Sequence, residues 1–538
     1  MKSENRIYQN IPQLLFHIIR AHITICLWGR ATGKTEGPGV DFTLHNMVTM
    51  PRSLGAIVSV SYDKLLTFII PKLTKGWEKY GYLEDTHFWV RKFAPEHLML
   101  KTPILKPSDP KHFIHFYNGA GAQLISLDRL GLSNAADLDW IYADEARLFS
   151  YEKFVEVINA NRGNADVFGG MPEHHSILIT TDKPRDSKGQ WLFDLAEQSD
   201  PEAIEMIMQI QESLFNLNEE LKKARTKAAR TKIESLISEF ENNLREIRKD
   251  TIALIEASTL DNIHALGIDP IKNFVRTLSD IVYKVSILNE TINEVEDGFY
   301  PDLSEEKHGY ISTNFDYLDH AEISTRNPKP DCRWYNDTVP NAPLDIAMDT
   351  NAKICNIATG QGNSEVYRLL SSFYHRNTFQ DLLKQWSEFY EHHPTKVVTY
   401  FFDHTDVKGR ADSEINYAQE IQLTLGQLGW NVNPVYIGQQ PRFKARYILW
   451  QKMLTESDPA YPKFRYNKIT SEYWKERAEA TGTIVGRTGF EKDKREEKRQ
   501  GFDQAKAPHI TDAGDTLIMG AVQLRLTGST DFLDIDIR

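Results

Sequence analysis

Residues 26–40, CLWGRATGKTEGPGV, contain a Gly-Lys-Thr triplet soon after a short apolar run. Such a triplet is typical of a phosphate-binding loop, in which backbone N–H groups at a helix N-terminus surround the phosphates. Lys34 would then reach the β- and γ-phosphates, and the hydroxyl of Thr35 would bind Mg²⁺. The common spacing G-x-x-x-x-G-K-[ST] requires a glycine where this chain has Trp28. The triplet alone leaves open whether the loop is a variant ATP site or a coincidence.

A pair of acids supplies the partner that a phosphate loop needs. In LDWIYADEA (138–146), an apolar run ends in Asp144 and Glu145. The first carboxylate can order Mg²⁺ and its water, and the second can act as general base on the attacking water. We therefore predict an ATP site with Mg²⁺, in which Glu145 is catalytic. The predicted nucleotide-binding residues are Gly29, Arg30, Ala31, Thr32, Gly33, Lys34, Thr35 and Asp144.

A second group of acids lies towards the end of the chain. Asp349 ends the run PLDIAMD, Asp403 ends VVTYFFD, and Asp512 and Asp515 lie three residues apart on one face of the last predicted helix. Acids that are brought together repel one another unless a divalent cation lies between them. Carboxylates suit Mg²⁺ or Mn²⁺, and two ions about 3.5–4 Å apart can promote phosphodiester cleavage. The order of these acids predicts catalytic metal ligands of an RNase-H-like nuclease.

Short apolar runs that alternate with helical stretches must position the first group of residues. Buried strands are predicted at 22–28, 54–62, 121–128, 138–146 and 175–184. This alternation favours a mostly parallel sheet that is covered by helices on both faces. Residues 1–200 are therefore predicted to form an α/β P-loop ATPase domain of the ASCE type.

The composition changes sharply over residues 201–258, where two apolar seams step by three and four residues. The seams are out of phase, and the second runs as far as Leu254, which favours a helical hairpin insertion over one straight rod. The predicted turn, KKARTKAARTK (222–232), carries six basic residues and no acid. Two interpretations stay open for this turn: a solvated helix surface, or a tip that touches DNA.

Residues 259–330 have a mixed helical and loop pattern and end in the Pro-rich STRNPKPD, so they are predicted to be a linker or subdomain. The strand pattern restarts after them. It predicts a hairpin over 343–360, a helix over 372–393, another buried strand over 395–406 and a closing helix from 511. Residues 331–538 are therefore predicted to form an RNase-H-like α/β nuclease domain.

Composition restricts the class of protein further. The chain has 538 residues, 41% hydrophobic and 26% charged, which is typical of a globular protein of several domains. Its three separated cysteines exclude a disulfide framework or a Cys-rich zinc site and fit a reducing compartment. We expect neither a signal peptide nor a membrane span. A net charge of −12 argues against coating nucleic acid through the overall field, but a local basic channel would still grip DNA.

An ATPase domain followed by an RNase-H-like nuclease domain resembles the large terminase subunit of tailed double-stranded DNA bacteriophages. GRATGKT resembles the deviant Walker A of that family, with an early Arg and one residue fewer between the glycines, so Trp28 is no defect. IYADEA resembles the Walker B and its catalytic Glu. Asp349, Asp403 and Asp515 fall where the family keeps its nuclease acids. The final family helix often reads Asp-His-x-x-Asp-Ala, whereas this chain lacks the His, which leaves Asp512 as an alternative to the favoured Asp515.

The resemblance also implies roles for residues outside the two acid groups. ILITTDKPRDSKGQWLFD resembles the coupling segment, in which Thr180 and Thr181 would sense the γ-phosphate. Arg30 could contact phosphate within its own subunit. An arginine that acts on a neighbouring subunit's ATP could be Arg129 or Arg162, and the sequence does not decide between them.

By this resemblance, the chain would hydrolyse ATP to move double-stranded DNA into a procapsid and would cut concatemeric DNA. The implied partners are double-stranded DNA, the portal protein and a small terminase subunit. The motor would be a homo-oligomeric ring on the portal, with isolated chains able to exist as monomers and no membrane partner. The implied location is the cytoplasm of the infected bacterial host, transiently at the procapsid portal and not in the mature virion.

Two alternatives differ from this interpretation. A helicase-like or DNA-repair ATPase with a fused nuclease would need helicase motifs between the Walker boxes and a second RecA-like core, and neither is apparent in the sequence. A non-enzymatic scaffold would bind nucleotide only for structure.

Overall fold

The protein divides into two compact units. The computed structural model describes residues 8–128, 137–184, 189–277, 283, 287–290, 298–324, 326, 328–350, 354–407, 415–486, 489–498 and 502–522. Unit 1 draws on 1–272, 283–293 and 322–328, and unit 2 draws on 273–282, 294–321 and 329–538. The segment 259–330, predicted as a linker or subdomain, is thus shared between the two units.

Unit 1 is built on an eight-stranded sheet with the order β3-β4-β5-β2-β6-β7-β1-β8. Its strands are β1 Ile23–Trp28, β2 Leu54–Ser59, β3 Phe88–Val90, β4 Phe113–Phe116, β5 Gly121–Ser126, β6 Trp140–Asp144, β7 Ser176–Thr181 and β8 Ile252–Ala257. From β5 to β8 every pair is parallel, and β3 and β4 extend the sheet with antiparallel pairs. The near-continuous apolar runs of β2, β6 and β7 are typical of strands that are buried on both faces.

The helices connect and flank these strands. Those of six or more described residues are α1 Ile11–Ile19, α2 Val40–Thr49, α3 Ile70–Lys79, α4 Tyr151–Asn159, α5 Gln190–Ala196, α6 Pro201–Lys223, α7 Lys227–Asp250, α8 Ile268–Thr277, α9 Phe315–His320, α10 Phe379–Phe389, α11 Tyr417–Gln427, α12 Phe443–Thr455, α13 Glu472–Ala480 and α14 His509–Val522. A π-helical turn, Thr35–Gly39, leads directly into α2. Among the described residues, no helix combines the length and apolar character that crossing a membrane requires.

The order of the central strands places the predicted ATPase residues at one edge of the sheet. β7 lies between β1 and β6, as the additional strand of an ASCE-type ATPase does. In the register, Thr180 of β7 is opposite Cys26 of β1 on one side and Asp144 of β6 on the other. Because the strands are parallel, their carboxyl ends meet at the same edge. The predicted fold class of this unit, a mostly parallel α/β sheet, is confirmed.

The insertion predicted at 201–258 consists of α6 and α7, which pack against each other and are joined by residues 224–226. Its last residues do not continue the second helix, so the placement of Leu254 on a helical seam is wrong. Ile252–Ala257 alternate in burial and form β8, which pairs with β1 along its whole length. The β-branched, alternating sequence favours a strand here, and the open edge of β1 supplies the partner.

Unit 2 contains a seven-stranded mixed sheet with the order β14-β13-β10-β11-β12-β15-β9. Its strands are β9 Gly309–Tyr310, β10 Leu344–Thr350, β11 Cys355–Gly362, β12 Val366–His375, β13 Val397–Phe402, β14 Asn431–Tyr436 and β15 Lys463–Asn467. β10, β11 and β12 form an antiparallel meander, and the remaining pairs are parallel. A separate hairpin joins β16 Thr483–Gly486 to β17 Gly489–Lys492.

The closing helix α14 packs on β10 and β11, and all its 14 residues are buried. The helix predicted over 372–393 is wrong at its beginning, because β12 runs to His375 and α10 begins at Phe379. Thr378 caps that helix by accepting from the Asp381 N–H, which explains where the helix begins.

Gly55→Ala is expected to destabilise unit 1 by about 1–3 kcal/mol, because overpacking a buried site forces neighbours out of place. A Cβ added at Gly55 would lie 1.9 Å from a ring atom of Trp140, which is fully buried on the adjacent strand. Urea unfolding followed by fluorescence measures the change. Gly170→Ala is the matched control, since an added Cβ there meets no atom within 4 Å. Equal unfolding midpoints for the two variants would contradict the packing of β2 against β6.

Candidate active sites

The loop after β1 has the backbone conformation of a tight anion-binding turn. Ala31 and Gly33 have positive φ angles of 58° and 87°, and the π-helical turn begins at Thr35. A Cβ added at Gly33 would lie 2.6 Å from the amide nitrogen of Gln13, so glycine is required by both the backbone conformation and the space. The loop thus brings Lys34 and Thr35 to the beginning of a helix, where the helix dipole favours an anion.

The carbonyl groups of this loop are held by side chains from several elements. The carbonyls of residues 27 to 33 accept, in order, from Asn289 (2.5 Å), Lys34 (2.9 Å), Thr32, Thr259 (2.5 Å), Asn262 (2.8 Å), Asn10 (3.0 Å) and Gln13 (3.2 Å). With seven successive acceptors engaged in this way, the negative ends of the peptide dipoles are tied to protein donors. This arrangement favours the approach of a phosphate to the N–H groups of the loop.

Lys34 is buried in a group of acidic side chains. Its ε-amine donates to the Trp28 carbonyl and forms an ion pair with Asp182. Burial lowers the pKa of Lys34, but the carboxylates of Asp182, Glu145 and Asp144 outweigh that effect and raise it overall. Lys34 is therefore held as a cation at the end of β1.

Asp182 is the point on which three cations converge. The Nε atoms of Arg30 and Arg147 lie 3.8 and 4.0 Å from its carboxylate, in addition to the ion pair with Lys34. Although burial opposes ionisation, Lys34, Arg147 and Arg30 lower the pKa of Asp182 to about 2. The cationic side chains of the site thus surround one buried negative charge.

Asp144 and Glu145 occupy the carboxyl end of β6, beside Thr35. The Thr35 hydroxyl donates to Asp144 at 3.2 Å, and the Thr180 hydroxyl donates to the other carboxylate oxygen at 2.7 Å. Burial and the neighbouring charge of Glu145 raise the pKa of Asp144. A hydroxyl and a carboxylate that carries unfavourable negative charge fit Mg²⁺, which prefers oxygen ligands. Glu145 has a φ of 57° and a partly exposed carboxylate 3.6 Å from Arg147.

The structure places the remaining predicted ATPase residues as follows. Thr180 and Thr181 are buried at the end of β7, and the hydroxyl of Thr181 accepts from the Arg147 N–H at 3.1 Å. Arg162 lies before the amino end of β6, at the edge opposite the loop, in an exposed ion pair with Asp137 at 2.8 Å. Arg129 lies outside the described residues. The choice of a trans-acting arginine stays a prediction.

Sequence reasoning missed Asp182 and Arg147. Both had a signal, since Asp182 directly follows the Thr-Thr pair and Arg147 lies two residues after Glu145. The amide side chains that hold the loop carried no such signal. Asn262 and Asn289 lie more than two hundred residues from the loop carbonyls that they bind, and only folding brings them there.

In unit 2, Asp349 and Asp403 lie at the same edge of the sheet. Each comes two residues after the last registered pair of β10 and β13, Ala347 with Phe401. Asp406, which sequence reasoning missed, accepts from the Tyr400 hydroxyl at 3.2 Å. Burial and the charges of Asp403 and Asp349 raise the pKa of Asp406 to about 7. The three acids therefore repel one another, as acids that suit a shared cation do.

Asp349 also faces the amino end of α14. Its carboxylate lies 3.0 Å from Nδ1 of His509, and Lys494 responds electrostatically to both Asp349 and Asp512. Asp512 forms ion pairs with Lys492 at 3.1 Å and with Lys494. Although burial opposes ionisation, these two lysines lower the pKa of Asp512. Asp349 thus lies between the acids of β13 and those of α14.

Asp515, the acid that the sequence favoured as chief metal ligand of the closing helix, is a buried structural residue. One of its oxygens accepts from the Tyr300 hydroxyl and the Trp450 indole, each at 2.8 Å. The other accepts from Lys492 at 2.9 Å and Arg446 at 3.4 Å. Four donors occupy this carboxylate, so the geometry favours Asp512 as the acid that can face an ion, and we correct the prediction accordingly.

The spacing of these acids limits what the site can hold. Within the described part of the chain, no three of the nuclease acids have ligand atoms that all lie within 4.8 Å of one another. Their chemistry fits Mg²⁺ or Mn²⁺, since they are carboxylates whose mutual repulsion a cation would relieve. Their placement is wider than a cage around a single ion, which fits ligands shared between two ions or drawn together by binding.

Known structures with a similar arrangement include the large terminase of a thermophilic bacteriophage, at 12% identity and a TM-score of 0.37, covering 95% of this chain and 98% of that one. The ATPase domain of the Thermus phage P74-26 large terminase is 12% identical with a TM-score of 0.31, covering 53% of this chain and 94% of that one. The P22 large terminase nuclease domain is 9% identical with a TM-score of 0.25, covering 41% and 95%. Similarities of this degree do not by themselves assign a function.

No family model matches the sequence, and no curated protein matches it. The chemistry of this chain has to be judged from its own side chains.

Asp515→Asn is expected to destabilise unit 2 by about 3–5 kcal/mol, because it leaves Lys492 and Arg446 buried with too little negative charge. Asp349→Asn is the contrasting variant, and we expect it to lose little stability, since Asp349 is 29% exposed and faces other acids. Denaturant unfolding measures both. Equal losses in the two variants would remove the structural role that separates Asp515 from the other acids.

Proposed function

We propose that this chain is a DNA-packaging motor subunit, which hydrolyses ATP to move double-stranded DNA into a viral procapsid and cuts that DNA with a metal-dependent nuclease. One observation carries the ATPase half of the proposal. The phosphate-type loop, Lys34, Thr35 and the acids of β6 meet at one edge of a parallel sheet. An ATPase needs this set together, and a protein that uses nucleotide only as a structural element has no need of Glu145 beside it.

Each residue of the ATP site has a role that its surroundings favour. Lys34 and Arg30 bind the phosphates, because both are cations that already face a negative charge at this edge. Thr35 and Asp144 hold Mg²⁺, which when bound neutralises charge on the β- and γ-phosphates. Glu145 accepts the proton of the attacking water, because its carboxylate is partly exposed. Residues 29–33 orient the triphosphate through their N–H groups.

β7 supplies a physical route from the ATP site to the rest of the unit. Thr180 bonds to Asp144, and Thr181 bonds to the backbone of Arg147, two residues after the base. A change of charge at Asp144 or Glu145 on hydrolysis would alter both hydrogen bonds. We propose that these two threonines couple hydrolysis to motion.

In unit 2, we propose that Asp349, Asp403 and Asp512 bind Mg²⁺ or Mn²⁺, with two ions as the favoured number. The ions, when bound, supply an activated water and stabilise the leaving oxygen of the cleaved strand. His509 orients Asp349, since it holds one carboxylate oxygen at 3.0 Å. The antiparallel meander of unit 2 favours this nuclease over the alternative of a helicase-like or DNA-repair ATPase, which would carry a second parallel ATPase core.

The partners follow from the family that the sequence resembles. They are double-stranded DNA, the portal protein and a small terminase subunit, with the chain acting as a homo-oligomeric ring on the portal. The place of action is then the cytoplasm of the infected bacterial host, at the procapsid portal.

Lys34→Ala and Glu145→Gln are each expected to lower ATP turnover by about 10²-fold or more, the range typical of a removed catalytic group. Glu145→Gln should still bind ATP, because its phosphate contacts remain, whereas Lys34→Ala should bind it weakly. Phosphate release and nucleotide binding by calorimetry measure the two effects. Lys75→Ala, an exposed lysine of α3, is the control and should match the wild type. Near-normal turnover in either variant would refute the assigned ATP site.

Asp349→Ala is expected to abolish Mn²⁺-dependent cleavage of plasmid DNA and to leave ATP turnover intact, because the two sites use separate residues. Isothermal titration with Mn²⁺ supplies a second readout, and we expect the variant to bind the ion more weakly. Glu388→Ala, an exposed acid of α10, serves as the control. Undiminished cleavage and Mn²⁺ binding would mean that Asp349 is a structural acid.

A further inference from the structure

The tip of the α6–α7 hairpin is strongly basic in a chain that is acidic overall. We call residues 222–232 the basic tip. They contain six basic residues and no acid, while the whole chain has a net charge of −12. The acids of the hairpin lie on the stems, with Glu219 and Glu220 before the tip and Glu234 after it. The charge of the hairpin is therefore sorted by sign along its length.

The outer part of the hairpin is covered by no other described part of the chain. The buried residues of α6 are Ile207, Ile210 and Leu214, all in its first two thirds, and α7 buries only Leu244, near its end. At 1.5 Å per residue, the 23 residues of α6 span about 34 Å, so the tip lies far from the buried root. The tip therefore extends from unit 1 into solvent.

The basic side chains of the tip lack the partners that a solvated helix usually gives its charges. Lys222 pairs with Glu219 at 2.6 Å. Among the described residues, none of the other five forms an ion pair within the tip or with the stems. Like charges three or four residues apart on a helix cost stability, and mixed signs would remove that cost. The uncompensated charge indicates that the tip is built for an anionic partner.

The composition of the tip indicates which kind of anion. The hairpin has no aromatic residue between Phe215 and Phe240, so it cannot stack on the bases of a single strand. The described tip also exposes no large apolar side chain, and therefore lacks the centre that a protein–protein interface needs. What remains suits phosphate groups: lysines, arginines, the hydroxyls of Thr226 and Thr231, and the beginning of α7.

We propose that the basic tip binds the phosphate backbone of double-stranded DNA without reading its base sequence. This inference rests on the proposed function only in that DNA is the substrate of the motor. The hairpin then adds a DNA-binding surface outside both active sites, and it would hold the duplex through charges alone. Such binding releases counterions and weakens steeply with salt.

The test compares duplex binding by the full chain and by a variant with a neutral tip. The substitutions are Lys222→Gln, Lys223→Gln, Arg225→Gln, Lys227→Gln, Arg230→Gln and Lys232→Gln. Fluorescence anisotropy with two duplexes of unrelated sequence should show a Kd at least about tenfold higher for both at low salt. The slope of log K against log salt should fall by about 0.9 for each phosphate that the tip no longer neutralises. Glutamine keeps a helix propensity close to that of lysine, so circular dichroism should be unchanged.

A charge-preserving variant is the matched control. Replacing Lys222, Lys223, Lys227 and Lys232 by Arg keeps every positive charge and should keep the affinity and salt slope of the wild type. Unchanged Kd and salt slope in the neutral variant would overturn the proposal, as would a weakening confined to one of the two duplex sequences.

ATP turnover separates this inference from the proposed function. A wild type that hydrolyses ATP, with a neutral variant that binds duplex as tightly as the wild type, refutes the tip alone. A wild type that binds duplex through the tip but hydrolyses no ATP refutes the motor and leaves the tip standing.

Discussion

The buried charge of Lys34 is the constraint on which unit 1 depends. A lysine at the end of a central strand is stable as a cation only if carboxylates face it, and Asp182 and Asp144 come from two other strands. Those strands must therefore end at the same edge as β1, which requires the parallel order β6-β7-β1. The loop conformation, the position of the acids and the direction of the strands are thus parts of one electrostatic solution.

Unit 2 meets the same requirement differently. Lys492 and Arg446 are buried cations, and the carboxylate of Asp515 neutralises them within the core. Asp349, Asp403 and Asp406 have no such compensation in equal measure, as the raised pKa of Asp406 shows. The unit therefore contains one acid whose charge stabilises the fold and a group whose charge is available to a ligand.

Much of the fold follows from local patterns, and the errors have local causes. The buried parallel strands were predictable because their apolar runs are nearly continuous and end at acids or at the glycine loop. β8 was missed because its apolar residues extend the helical spacing of α7, and only the open edge of β1 selects a strand there. β12 was missed in part, because its polar residues up to His375 resemble the first turns of the following helix. The site was predictable where residues are close in sequence, and less so where tertiary packing decides. Asp512 and Asp515 lie three residues apart on a helix that is buried throughout, so spacing cannot show which of them meets the core cations. Their surroundings, contributed by residues from 300 to 494, decide that question.

The connection between α7 and β8 has a mechanical consequence. Only Thr251 separates the helix from the strand, and β8 is parallel to β1 over all six of its residues. A tension applied along the hairpin would therefore load the β8–β1 ladder in shear. In that geometry all the rungs resist together, whereas a pull across the strands would break them one at a time. The root of this arm is thus attached where unit 1 can bear strain without parting.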